Sequence, residues 1–184
     1  MAQKSRIIPA VAGYYTPDGF RHAFVATTTG TLHEVFFNPY KGKGIDRLAC
    51  FDAISTLDGF YTTDDGYQHE IVATPNGSVH EIYFKPNDVH FTEPPLAHFS
   101  GIVDLSAFYA EDDQNRIVVV ATNDGNIHEI FFNPAIGVHV TQPPLAKFQG
   151  IVEIAAFYTP DDKYRHVIVA TNDGSVSEIF YHPS

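Results

Sequence analysis

The sequence predicts an all-β protein, a four-bladed β-propeller of antiparallel four-stranded blades. Three observations carry this reading: one phrase recurs four times, each copy is rich in strand-forming residues, and turn chemistry punctuates every copy. The phrase runs "VATTTGTLHEVFFNP" from Val25, "VATPNGSVHEIYFKP" from Val72, "VATNDGNIHEIFFNP" from Val120 and "VATNDGSVSEIFY" from Val169. The starts lie 47, 48 and 49 residues apart. A period of this size marks a repeat architecture in which each unit hides its apolar surface against the next.

The elements follow in order within a unit. A first strand is expected in segments such as "IVEIAAFYT", a second in "RHVIVAT" and a third in "SVSEIFY", because Val, Ile, Phe, Tyr and Thr dominate runs of five to eight residues. Clusters such as "TPDG" and "TNDG" separate them, short enough for hairpins. A fourth strand is placed in "PPLAKF" and its counterpart "PPLAHF". Hairpin-linked strands favour a propeller over a solenoid, whose coils use shorter repeats. The units divide at about 6–51, 52–99, 100–148 and 149–184 within a single domain. No copy of the fourth strand follows the last phrase. A closed ring is expected because it hides strand edges, with residues 1–5 giving the last blade a short patch; the alternative is that chains join into a homo-oligomer.

Composition narrows the partners. The chain has 184 residues, a net charge of −11 and 22 acidic against 11 basic residues, with no basic cluster. Phosphate neutralisation supplies most nucleic-acid affinity, so neither nucleic acid nor an anionic membrane is an expected partner. Carbohydrate or another small polar ligand remains, or a protein. The start carries no signal-peptide pattern and Cys50 stands alone, so a cytoplasmic location, or secretion without a signal peptide, is expected.

Polar residues recur in register. Glu34, Glu81, Glu129 and Glu178 occupy one position in the third strand. Twelve residues upstream stand His22, His69, Ile117 and His166, and one before these come Arg21, Gln68, Arg116 and Arg165. The hairpin brings this histidine opposite or diagonal to the glutamate. Carboxylate, imidazole and guanidinium together suit a polyol, and we expect ligand-binding roles for Arg21, His22, Glu34, His69, Glu81, Arg116, Glu129, Arg165, His166 and Glu178.

The frame "IAAFY…RHVIVATNDGSVSEIFY" is similar to the blade of the fungal fucose-binding propeller lectins. That resemblance implies sugars seated between adjacent blades, hydroxyls held by an arginine and by the glutamate position, and an aromatic ring stacked on the sugar. This chain departs from the pattern: the arginine position holds His22, His69, Ile117 and His166, there is no tryptophan, and there are four units instead of six.

Other recurring groups have structural explanations. Tyr15, Tyr61, Tyr109 and Tyr158 end the first strands and offer either stacking or packing. His33, His80 and His128 neighbour the glutamates but face the opposite side of the strand. Four glutamates around one axis also suit a hard cation in the channel. The pairs Asp64-Asp65, Asp112-Asp113 and Asp161-Asp162 read as turn residues. No catalytic motif and no cofactor fingerprint is present. The leading function is a non-catalytic, lectin-like propeller with repeated sites. Its rivals are an enzyme or small-molecule binder with one axial site, built from residues that break the repeat (Asp46, Arg47, Cys50, Glu70, Lys85), and a protein-interaction scaffold.

Overall fold

The computed structural model describes residues 10–86 and 88–182, and among these every regular element is a strand. Four separate antiparallel sheets follow one another along the chain, one per repeat. Sheet 1 holds β1 (Val11–Tyr15), β2 (Arg21–Ala26), β3 (Thr31–Asn38) and β4 (Gly42–Cys50). Sheet 2 holds β5 (Thr56–Tyr61), β6 (Gln68–Ala73), β7 (Ser78–Lys85), β8 (Asp88–Phe91) and the short β9 (Ala97–His98). Sheet 3 repeats this with β10 (Ile102–Ala110), β11 (Asn115–Thr122), β12 (Asn126–Asn133), β13 (Gly137–Val140) and β14 (Ala146–Lys147). Sheet 4 has only β15 (Ile151–Thr159), β16 (Tyr164–Thr171) and β17 (Val176–Tyr181).

The outer strand differs from expectation. In sheets 2 and 3 it is formed mainly by β8 and β13, and the "PPLA" phrase contributes only the two-residue β9 and β14. Pro94-Pro95 and Pro143-Pro144 lack the N–H a ladder requires, so they interrupt the strand. Sheet 1 has no such pair and its outer strand is continuous. Among the described residues sheet 4 is three-stranded, where four strands are expected. The patch expected from residues 1–5 lies outside the described residues.

The repeated turn shows how closely the sequence is tied to this arrangement. Gly125 adopts φ +89°, and a Cβ there would stand 1.9 Å from the Phe148 carbonyl oxygen of the returning outer strand. Glycine is therefore required twice over, for the left-handed backbone and for the close approach. Gly174, its counterpart in sheet 4, keeps φ +86° with nothing within 4 Å among the described residues.

Each sheet packs face to face on the next, with the first strands innermost: β1 on β5, β5 on β10, β10 on β15. The core is accordingly three separate apolar layers. Phe24, Leu32, Ile54, Leu57, Val72 and Ile82 fill the first, between sheets 1 and 2. Phe60, Ile71, Val79, Leu105, Val118 and Ile130 fill the second, and Phe108, Ile117, Val119, Ile127, Ile154 and Val167 the third. A fully buried side chain of this size contributes about 1.5–3 kcal/mol. Because both faces of sheets 2 and 3 are covered, the strand-by-strand alternation of polar and apolar residues is lost there, as in β6, where every residue is buried.

The expected ring closure is not formed among the described residues. β15 and β1 do not pack on each other as the other inner strands do. Val176 of sheet 4 is 70% exposed although its counterparts Leu32, Val79 and Ile127 are at 0%, and at the opposite end Val11 is 64% exposed. Among the described residues the four sheets make an open arc with two exposed end faces.

Candidate functional site

Three clefts open between consecutive sheets, at equivalent places. The first, about 500 Å³, is lined by Asp18, Glu34, Phe36, Asp46, Arg47 and Lys85 among others. The second, about 260 Å³, is lined by Asp65, His69, Glu81, Tyr83, Arg116 and Asn133. The third, about 670 Å³, includes Asp113, Glu129, Phe131, Thr141, Arg165 and Tyr181. Each contains the repeated glutamate, an aspartate from the turn after the first strand, and one aromatic ring from a single repeat position: Phe36, Tyr83 or Phe131.

In sheets 1, 2 and 4 the glutamate is held from within its own hairpin. His22 Nδ1 meets Glu34 Oε1 at 2.6 Å, His69 Nδ1 meets Glu81 Oε1 at 2.8 Å and His166 Nδ1 meets Glu178 Oε1 at 2.9 Å. His22 lies opposite Phe36 in the ladder, so the pair with Glu34 is the diagonal one. The other ring nitrogen meets a threonine, Thr16 at 3.0 Å, Thr62 at 3.1 Å or Thr159 at 3.0 Å. Those threonine hydroxyls donate in turn to Asp18, Asp65 and Asp162. An aspartate–threonine–histidine–glutamate chain is thereby built three times.

Sheet 3 breaks the chain at both middle links. Ala110 replaces the threonine and Ile117 the histidine, each at 0% exposure. Glu129 is instead held from the next sheet: Arg165 Nη1 donates at 2.6 Å and the Tyr181 hydroxyl at 2.9 Å, while Thr141 Oγ1 donates to its second oxygen at 3.0 Å. Arg165 Nη2 also donates to Asp113. Burial, with the Glu129 charge beside it, pushes the Tyr181 hydroxyl far above its ordinary pKa and keeps it a donor.

Arg116 makes the corresponding reach from sheet 3 into sheet 2, donating to Asp65 with Asp64 at 3.5 Å. Burial raises the Asp65 carboxyl, but hydrogen bonds from Thr62 and Tyr67 and the Arg116 charge outweigh it and hold the group below its ordinary pKa. Glu81 is already engaged by His69 and by the Thr92 hydroxyl. Arg116 Nη1 is left buried without a hydrogen-bond partner among the described residues. A buried donor of this kind costs about 1–3 kcal/mol unless something accepts from it.

The ten sequence-predicted residues therefore separate. Glu34, Glu81, Arg116, Glu129 and Arg165 line the clefts, with His69 at the second. His22 is buried behind Glu34, and Glu178 and His166 lie on the uncovered end of sheet 4. Arg21 lies at the other end, its guanidinium 5.8 Å from the Phe37 ring centre. The arginine and histidine of one hairpin do not clamp together, because adjacent strand residues face opposite sides: the histidine serves its own sheet and the arginine the preceding one. Nor do the glutamates gather on the axis for a cation. Among the described residues no group of three or more His, Cys, Asp and Glu is arranged to hold a metal.

Asp65 and Asp113, read from sequence as turn residues, fill that role through one oxygen and take the cross-sheet arginine with the other. The signal was their recurrence at one turn position, about one repeat before an arginine of the next unit. Tyr15, Tyr61 and Tyr109 line a different opening, among the inner strands. Tyr109 is pushed up to about 12 by burial and the nearby Asp64 charge.

Sheets packed face to face around inner strands are the architecture of a β-propeller, here with a polar cleft at each junction. The solved structures it resembles include several lectins. The BP39L lectin from Burkholderia pseudomallei superposes with a TM-score of 0.75 at 11% identity, covering 97% of this chain and 53% of that one. AofleA from Arthrobotrys oligospora gives 0.74 at 14% identity, with 96% and 54% covered. The Aleuria aurantia lectin, described as a six-bladed propeller with a novel fucose recognition mode, gives 0.72 at 13% identity, with 97% and 60% covered. At these identities the likeness is one of fold, and the chain spans little more than half the length of each. No protein-family model and no curated protein sequence matches the chain.

Proposed function

We propose that this chain is a non-catalytic, four-bladed carbohydrate-binding module whose ligands sit in the clefts between blades. The observation that carries this reading is the second cleft, where Arg116, whose Nη1 has no hydrogen-bond partner among the described residues, lines one opening with the Glu81 carboxylate and the Tyr83 ring. A sugar hydroxyl accepts from such a donor while giving its own proton to a carboxylate, and an aromatic ring covers the C–H face of the pyranose. The lectin neighbours support the reading at the level of fold.

A shallow site of this kind binds at ~1 mM, about −4 kcal/mol, and repetition along the arc raises avidity by roughly 10²–10⁴ on a multivalent glycan. The test is titration calorimetry with a monosaccharide panel, fucose included. Millimolar binding that weakens about tenfold in Arg116→Ala, with an unchanged circular dichroism spectrum, is expected. Absence of heat for every sugar at ~10 mM rejects the proposal.

A further inference from the structure

We infer that the two uncovered end faces are complementary halves of the junction repeated inside the chain, and that copies join head to tail through them. Joining builds a further cleft to which each copy contributes half.

Three features of the internal junctions have their unmatched halves at the ends. The first is the arginine link. Arg116 reaches Asp65 and Arg165 reaches Asp113, always from one sheet to the turn of the sheet before. Sheet 1 presents Arg21 at the same repeat position, exposed and with no carboxylate partner among the described residues. Sheet 4 presents Asp162 at the turn position and Glu178 at the strand position, both exposed.

The second is backbone stitching. Asp104 Oδ2 accepts from the Ile154 N–H of the next inner strand at 2.9 Å, and Asp58 Oδ2 accepts from Ala107 N–H at 2.8 Å. Glu153 stands in sheet 4 where Asp104 stands in sheet 3, and it is exposed. The Val11 N–H is the corresponding donor in sheet 1, since Val11 pairs with Val25 as Ile154 pairs with Val169. The third is apolar surface. Phe157 at 43% and Val176 at 70% exposure are the sheet 4 counterparts of core residues, and Val11 at 64% and Phe37 at 41% are those of sheet 1.

Opposite charges and matching apolar positions therefore lie on different ends of one chain, so the partner that satisfies both is another copy. The contact is heterologous, and repetition closes it into a ring or extends it. At the junction Glu178 and Phe180 of one copy face Arg21 of the next, the side-chain set of the internal clefts.

Sedimentation velocity on the whole chain tests this. The wild type is expected to sediment as an assembly above the 20.4 kDa protomer at micromolar concentration. Arg21→Glu alone and Asp162→Arg alone each give protomers, and an equimolar mixture of the two reassembles, because each restores the other's charge pair. Val176→Glu, at an exposed site, also gives protomers with an unchanged circular dichroism spectrum. A wild type that stays monomeric, or variants that assemble as the wild type does, overturns the inference. Sugar binding in the internal clefts persists in these variants, so the two proposals fail separately.

Discussion

The second and third clefts are built from the same repeat positions, yet they secure their glutamates in opposite directions. In the second, Glu81 is held by His69 of its own hairpin and the incoming Arg116 keeps an unused donor. In the third, Ile117 cannot hold Glu129, and the incoming Arg165 divides its two terminal nitrogens between Glu129 and Asp113. A histidine inside the blade thus leaves one terminal nitrogen of the arginine unused, and its loss ties that nitrogen to the glutamate. The same polar set leaves a terminal guanidinium nitrogen unused at one junction and spends both at the next.

The comparison is broken most severely by Arg165→Ala. It strands Glu129, whose side chain is 5% exposed, and leaves Asp113 without its cation. Removing one partner of a buried ion pair costs about 3–5 kcal/mol, so a urea-unfolding midpoint far below that of the wild type is expected. The partly hidden Tyr181 and Thr141 hydroxyls place the loss at the lower end of that range.

Grafting the histidine chain into sheet 3 sharpens the comparison. Ala110→Thr with Ile117→His in the Arg165→Ala background gives Glu129 an internal partner, and recovery of about 1 kcal/mol is expected in the same unfolding assay. In the other direction, His69→Ala removes the internal partner of Glu81 and costs about 1.5–3 kcal/mol. It also lets Arg116 turn toward Glu81, so sugar affinity at that cleft falls.

The first junction differs from both, and the difference is one of pH. Glu70 is completely buried at a position where sheets 3 and 4 carry Val118 and Val167, and Gly59 leaves it room: a Cβ there would meet Glu70 Oε1 at 2.1 Å. Burial, reinforced by the Asp58 and Glu34 charges, raises its pKa well above the ordinary carboxylate range. The folded state therefore keeps a proton that the unfolded chain releases. Stability is highest below the unfolded carboxylate pKa and declines as pH rises from there toward the folded value. Glu70→Gln, which carries no charge in either state, is expected to remove this decline when unfolding free energies are compared across pH.

Much of this was legible in the sequence. The fourfold phrase, its strand-forming letters and the turn glycines led directly to the hairpins. The histidine–glutamate pairing followed from hairpin geometry. The outer strand was misplaced because "PPLAKF" has strand-like letters, whereas "GVHV" is short and the prolines remove the donors a strand needs. The open arc was hidden for another reason: Val176 and Val11 have the same apolar character as their buried counterparts, and no local pattern says whether a neighbour covers them. The arginine–aspartate ties join residues 51 and 52 apart, beyond any hairpin rule, and appear only when successive units are laid face to face.

The central claim is that ligands lie between blades and not on the axis. Diffraction from crystals soaked in mixed monosaccharides at high concentration locates them directly. The account predicts sugar density against Arg116, Glu81 and Tyr83, with weaker or no density in the third cleft, where Arg165 is already engaged. Density confined to the opening among Tyr15, Tyr61 and Tyr109, with the three clefts empty, would contradict it.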